Sequence, residues 1–140
     1  MALVSFQSLG HYGVVLGCVT LKDYLSKTYS SQLGNICVYR RQPSLAVPLL
    51  QRALEGKVPL MDLHRDFGKA WLQLGEADKA LEQFRIVAKA EPEDDTIHTL
   101  MASAYRHQGK AKEETEELEL FKSLNQKKLE RAQKNVQGIQ

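Results

Sequence analysis

A chain of 140 residues and 15.8 kDa has room for one domain with a modest core, since globular domains cluster near about 100–150 residues. Hydrophobic residues at 43% and charged residues at 26% match soluble globular chains and exclude collagen, wholesale disorder and a polytopic membrane protein. Nineteen Lys and Arg against 17 Asp and Glu leave a net charge of +2, without the basic footprint of a dedicated nucleic-acid binder, so no nucleic-acid partner is expected.

Residues 1–26 form an atypical apolar segment that carries only Lys22 and Asp23 as charges and holds Gly10, Gly13 and Gly17. The run 14–19 is too short for a membrane span of about 20 apolar residues, and the basic start of a signal peptide is missing. Val15-Leu16-Gly17-Cys18 loosely matches a lipoprotein cleavage box, which keeps a membrane-tethered lipoprotein as the alternative. The preferred reading is a degenerate helix whose Leu16, Val19, Leu21 and Leu25 cover the open apolar side of the first hairpin. The two cysteines, Cys18 and Cys37, form neither a CxxC motif nor a disulfide scaffold, which favours a reducing, cytoplasmic setting.

From Thr28 onward the chain is rich in Leu, Ala, Glu, Lys, Gln and Arg, with apolar spacings of three and four, and reads as helices punctuated by Pro43, Pro48, Pro59 and Pro92. Sliding the chain against itself gives a period of 34 residues. Leu33, Phe67 and Met101 align, followed by Gly34, Gly68 and Ala102, then Cys37, Trp71 and Tyr105. Arg41, Gly75 and Gly109 come next, then Ala46 and Ala80, then Leu50, Phe84 and Leu118. The period divides the chain into 27–60, 61–94 and 95–128, with 129–140 as the polar end of a long C-terminal helix.

In the middle copy a helix is predicted over about residues 60–74, with the small Gly68 admitting a neighbouring helix and Phe67 and Trp71 sharing one buried face. Gly75 stops it in the left-handed conformation, and a second helix over 77–90 turns Ala80, Leu81 and Phe84 inward. Pro92 ends the hairpin, and Asp95 or Thr96 is the expected N-cap of the next.

Gly68, Trp71, Gly75, Ala80, Phe84 and Pro92 fall on signature positions of the tetratricopeptide repeat (TPR), which this copy closely resembles. The flanking copies match less fully. Residues 27–60 keep Gly34 but have Cys37 for an aromatic and Arg41 for Gly. Residues 95–128 keep Tyr105 and Gly109 but have Glu114 where a small Ala is usual. The resemblance implies an all-α, right-handed superhelical solenoid of about three antiparallel helical hairpins, with a long C-terminal solvating helix.

It further implies a non-enzymatic protein-protein interaction module that holds a peptide segment or helix of a protein partner in a concave groove. By the same resemblance the groove takes Thr28, Ser31, Asn35 and Tyr39 from the first repeat. The second supplies Asp62, Arg65, Lys69 and Gln73, and the third Thr99, Ser103, Arg106 and His107. Such a groove is polar and net basic, so an acidic partner segment is expected. Of the family's chaperone-tail clamp only Asn35 is present, and Ser31, Asp66 and Leu100 depart from it. A fragment of a larger TPR-containing enzyme or regulator is the other alternative.

His64 and His98, 34 residues apart, read as inter-helix packing positions and not as metal ligands. His107 beside Arg106 reads as groove surface, since spacing places no nucleophile or carboxylate next to it. The acidic run Glu113 to Glu119 and the later Lys122, Lys127, Lys128, Arg131 and Lys134 read as a solvated helix matched to its dipole. No paired acid and base, phosphate-binding glycine loop or metal constellation occurs, so no catalytic residue, metal or cofactor is expected, and a membrane partner is disfavoured.

Overall fold

The computed structural model describes residues 21–56 and 61–138. Six helices follow one another: α1 (Leu21–Tyr39), α2 (Pro43–Leu54), α3 (Met61–Gln73), α4 (Ala77–Ala90), α5 (Asp95–His107) and α6 (Ala111–Gln137). No strand occurs among the described residues. The helices pair as three antiparallel hairpins, α1 with α2, α3 with α4 and α5 with α6, stacked as a helical solenoid.

The hairpin turns explain the 34-residue period at atomic level. Arg41, Gly75 and Gly109 have φ of 55°, 81° and 71°, the left-handed conformation that closes a Schellman motif. In each turn the residue after them donates its N–H five residues back. Gln42 reaches the Cys37 carbonyl at 2.8 Å, Glu76 that of Trp71 at 2.9 Å and Lys110 that of Tyr105 at 3.0 Å. Gly75 and Gly109 adopt this backbone without steric cost. Arg41 adopts it with a Cβ, a strained conformation for a side-chain-bearing residue.

The packing between paired helices repeats with the same period. A Cβ at Gly34 would lie 2.6 Å from the Leu50 side chain, and one at Gly68 would collide with the Phe84 ring. The predicted close approach at Gly68 is therefore made by Phe84 of α4. Phe84 and Leu50 are fully buried. Two apolar clusters result, each shared between a hairpin and the helix that follows it. Ala46, Leu50 and Ala53 meet Leu63 and Phe67 in one, and Leu81, Phe84 and Val87 meet Ile97 and Met101 in the other. Trp71 touches both, its ring centroid 5.6 Å from that of Phe67, while the Lys79 ammonium sits 4.4 Å from the Trp71 centroid.

Several boundaries differ from expectation. α4 spans the predicted residues, and α3 ends one residue earlier, at Gln73, while its expected first residue, Leu60, lies outside the described residues. α1, Leu21–Tyr39, reaches into the segment set apart by composition, and the two charges of that segment, Lys22 and Asp23, fall in its first turn. Pro48 does not punctuate anything. It lies inside α2 on the exposed side, where the lost N–H falls on one turn, while Ala46, Leu50 and Ala53 anchor the opposite face. The N-cap of α5 is Asp94, one residue earlier than expected, and its carboxylate accepts the Thr96 N–H at 3.0 Å. The expected covering residues Leu16 and Val19 lie outside the described residues.

Candidate ligand-binding face

Curvature follows from which helices touch. The first helices of successive hairpins meet, α1 against α3 and α3 against α5, whereas α2, α4 and α6 do not touch one another. The row α1, α3, α5 is thus the inner side of the stack. The resemblance assigned its groove residues to this row.

At the α1–α3 seam, Asp66 is buried and accepts hydrogen bonds from Asn35 Nδ2 and, at 3.3 Å, from Lys69 Nζ. Lys69 also lies 5.9 Å from the centre of the Tyr39 ring. Gln73 Nε2 donates at 3.0 Å to the Val38 carbonyl near the end of α1, which also accepts the Arg41 N–H at 3.1 Å. Asn35, Tyr39, Lys69 and Gln73 therefore meet, but Asn35 and Gln73 spend their amides joining two helices. Asp66 escaped the sequence reading as a positioning residue, because nothing in a 31-residue separation links it to Asn35.

Arg65 lies at the opposite end of α3 and faces its own chain. Its guanidinium contacts Asp62, Glu91 at 3.1 Å and Asp94 at 2.6 Å. Burial lowers its pKa, but the hydrogen bond to Asp94 and the attraction of Asp94, Asp62 and Glu91 win and raise it. Arg106 is likewise held by Glu114, with Nε at 2.7 Å. The Glu that replaces the small repeat residue thus has a partner on α5. All three cations expected to make the groove basic meet a carboxylate of the chain, Arg65 at 2.6 Å from Asp94, Arg106 at 2.6 Å from Glu114 and Lys69 at 3.3 Å from Asp66. Ser103 is half-buried, Thr99 donates to the Thr96 carbonyl at 2.7 Å, and among the described residues no hydrogen bond joins either to the Lys69 cluster.

The acidic run is not purely solvated either. His98 Nδ1 lies 2.7 Å from Glu117 Oε2, and His64 Nδ1 lies 2.9 Å from Gln83 Oε1. These are one bond repeated at the 34-residue period, tying first to second helix in two hairpins. Farther along α6, Lys128 binds Asp95 at 2.6 Å and Arg131 chelates Glu93 at 3.0 and 3.2 Å.

What remains open on the inner side is a cavity of about 460 Å³ at the turn edge of the stack. It is lined by Arg41, Pro43, Lys69, Leu72, Gln73 and His107. Three hairpins contribute cations or imidazole to it, and no carboxylate lines it. The side chains of Arg41 and His107 make no hydrogen bond or ion pair among the described residues. A larger depression of about 840 Å³ on α6, between Lys112 and Ser123, is a shallow face of a single helix and brings no groups together from elsewhere. Among the described residues no cluster of His, Cys, Asp and Glu fits a metal ion, and no helix is long and apolar enough to cross a membrane.

The fold is that of a TPR-like helical solenoid, and solved structures share it. MamA of MSR-1 superposes with a TM-score of 0.71 at 24% identity, covering 77% of this chain and 61% of that one. MamA of AMB-1 gives 0.68 at 25% identity, with 71% and 59% covered. A further crystal structure of MamA gives 0.67 at 22% identity, with 75% and 57% covered. MamA is a TPR-like all-helical protein, and the chain spans about three fifths of its length. No protein-family model and no curated protein matches the sequence.

Proposed function

We propose that this chain is a protein-interaction module that binds an acidic segment of a partner on the inner face of the stack. The ligand's carboxylates would be read at the edge lined by Arg41, Lys69 and His107. The observation that carries this reading is the strained turn of the first hairpin. The equivalent turns use glycine, yet here a left-handed residue bears a guanidinium that lines a cavity and has no side-chain partner among the described residues. Strain kept where a glycine would remove it points to a role for the side chain. Lys69, steadied by Asp66 and Tyr39, supplies a second donor, Tyr39 an exposed amphipathic surface, and His107 a third polar contact.

Arg65 and Arg106 are left out of the ligand contacts, because neither lines the cavity, whereas Lys69 does while paired with Asp66. Asn35, Gln73 and Ser103 shape the face.

Fluorescence anisotropy with a labelled Glu-rich peptide and a matched Lys-rich one tests the reading. The acidic peptide alone should bind, with an affinity that falls as salt rises. Arg41→Glu with Lys69→Glu should weaken it about tenfold or more, since hydrogen bonds to charged groups contribute about 1.5–3 kcal/mol each. Equal affinity of wild type and double variant would refute this site, and binding of the Lys-rich peptide in its place would refute the charge assignment.

A further inference from the structure

The first helix of each hairpin carries one apolar stripe at spacings of four and three. On α3 it is Leu63, Phe67 and Ala70, met by Ala46, Leu50 and Ala53 of α2. On α5 it is Ile97, Met101 and Ala104, met by Ala80, Phe84 and Val87 of α4. None of these six stripe residues is more than 7% exposed. On α1 the stripe is Tyr29, Leu33 and Ile36, between 48% and 61% exposed, and no described element lies over it.

We infer that this stripe docks an acidic amphipathic helix of a partner protein, which takes on α1 the place that α2 takes on α3. Two observations point to that occupant. The first is the course of α1. Residues 91–94 connect α4 to α5, and their counterparts two periods back, 23–26, are helical within α1. The chain continues as helix where the later repeat turns its preceding helix back over the stripe. The second observation is charge. One turn beyond Ile36, the exposed Arg40 extends the same line, its N–H donating to the Ile36 carbonyl at 3.0 Å. One turn before Tyr29, Ser26 accepts from Arg52 Nη2 at 2.8 Å. Two guanidiniums thus bracket the stripe, and neither meets a carboxylate among the described residues. From 26 to 56 the chain holds Lys27, Arg40, Arg41 and Arg52 against Glu55 alone. Acidic flanks on an incoming helix would pair with both brackets. Residues 1–20 contain no Asp or Glu and cannot supply them. Ser26 to Arg40 spans about 21 Å at roughly 1.5 Å per residue, so the recognised helix is about four turns long. Its apolar residues are spaced four and three, as in α2 and α4.

The probe is a labelled Ala-rich peptide of about 18 residues, long enough to be helical in water. It carries Leu at three positions spaced four and three, with Glu on both flanks. Anisotropy titration against the full chain should show saturable binding. The same peptide with Lys flanks should bind about tenfold or more weakly, since like charges then face each other. Leu33→Asp should abolish binding, with helical circular dichroism and Trp71 emission reporting an intact stack. Arg40→Glu with Arg52→Glu should invert the preference toward the Lys-flanked peptide, a result that unfolding does not imitate. Arg41→Glu with Lys69→Glu should leave binding unchanged.

Absence of binding by the Glu-flanked peptide overturns the inference, as does binding that survives Leu33→Asp. Loss of binding on Arg41→Glu with Lys69→Glu moves the peptide to the inner cavity and overturns it too. So does a dimer mass that Leu33→Asp converts to monomer, which assigns the face to a second copy. In a Cys18→Ser, Cys37→Ser background, maleimide labelling of Leu33→Cys in the monomeric chain far slower than that of Glu116→Cys on α6 assigns the face to the chain itself, with the same consequence. Binding of the Glu-rich peptide in the inner cavity stands or falls separately from these outcomes.

Discussion

The two ends of the stack are finished by opposite chemistry. At the C-terminal end, α6 turns Lys112, Glu116 and Glu119 to solvent, and its exposed Leu120, Leu129 and Val136 are scattered along 27 residues of helix. At the N-terminal end, α1 gathers Tyr29, Leu33 and Ile36 on one face within eight residues. A repeat stack touches only its neighbours, so the last element must be polar outward while any earlier one must find a cover. The contrast teaches that α6 presents a polar outer face, whereas α1 is built as an interior helix.

The sharpest way to break the comparison is to remove the interior they share. Phe84→Ala should cost about 3–5 kcal/mol by deleting a fully buried ring and leaving a cavity. Leu118→Ala, at the half-buried counterpart in α6, should cost well under half of that. Chemical denaturation measures both, and equal losses would show that the terminal hairpin is packed as tightly as the middle one.

Arg65→Met should cost about 1–3 kcal/mol by leaving the poorly exposed Asp94 carboxylate without its cation. Arg106→Met should cost less than about 1 kcal/mol, since Arg106 is solvent-exposed. A thermal-melting difference of opposite sign would contradict the assignment of Arg65 to the α4–α5 turn.

Arg41→Gly should stabilise the chain by about 0.5–1 kcal/mol, since glycine relieves the left-handed strain and loses only part of it to extra chain entropy. The same variant should bind the acidic peptide more weakly. Stability gained together with affinity unchanged would leave Arg41 without a binding role.

The smallest effect expected is on the far end of α6. The Arg131 hydrogen bond and charge hold Glu93 below its ordinary 4.5, and the Lys128 hydrogen bond holds Asp95 below its ordinary 3.8. Carboxylates depressed in the folded state stabilise it fully above those ordinary values. The contribution is lost as pH falls below them toward the folded-state values. Hydrogen exchange across residues 128–137 should therefore accelerate at acidic pH ahead of the α3–α4 core, and uniform acceleration of both regions would show that the tether contributes nothing local.

Much of the fold was legible in the residues. Gly75 and Gly109 announced left-handed turns, and Gly68 with Phe84 a close helix contact, because each depends on a steric requirement that few residue types meet. Arg41 occupied the same conformation without announcing it, since the neighbouring turn geometry imposed what its own side chain disfavours. The candidate site was less legible. Lys69 and His107 were found on the inner face, and Arg41, read only as a missing glycine, was not placed there.

By itself the sequence determined the period and the hairpin turns, because these follow from local sterics and from apolar spacing along single helices, whereas the inward-facing row came from the resemblance to the repeat family. Which charges stay available was decided only by tertiary structure. Arg65 meets Glu91 and Asp94 across 26 and 29 residues, and Asn35 meets Asp66 across 31. An ion pair depends on the distance between two atoms brought together by folding, and no pattern within either helix encodes that distance.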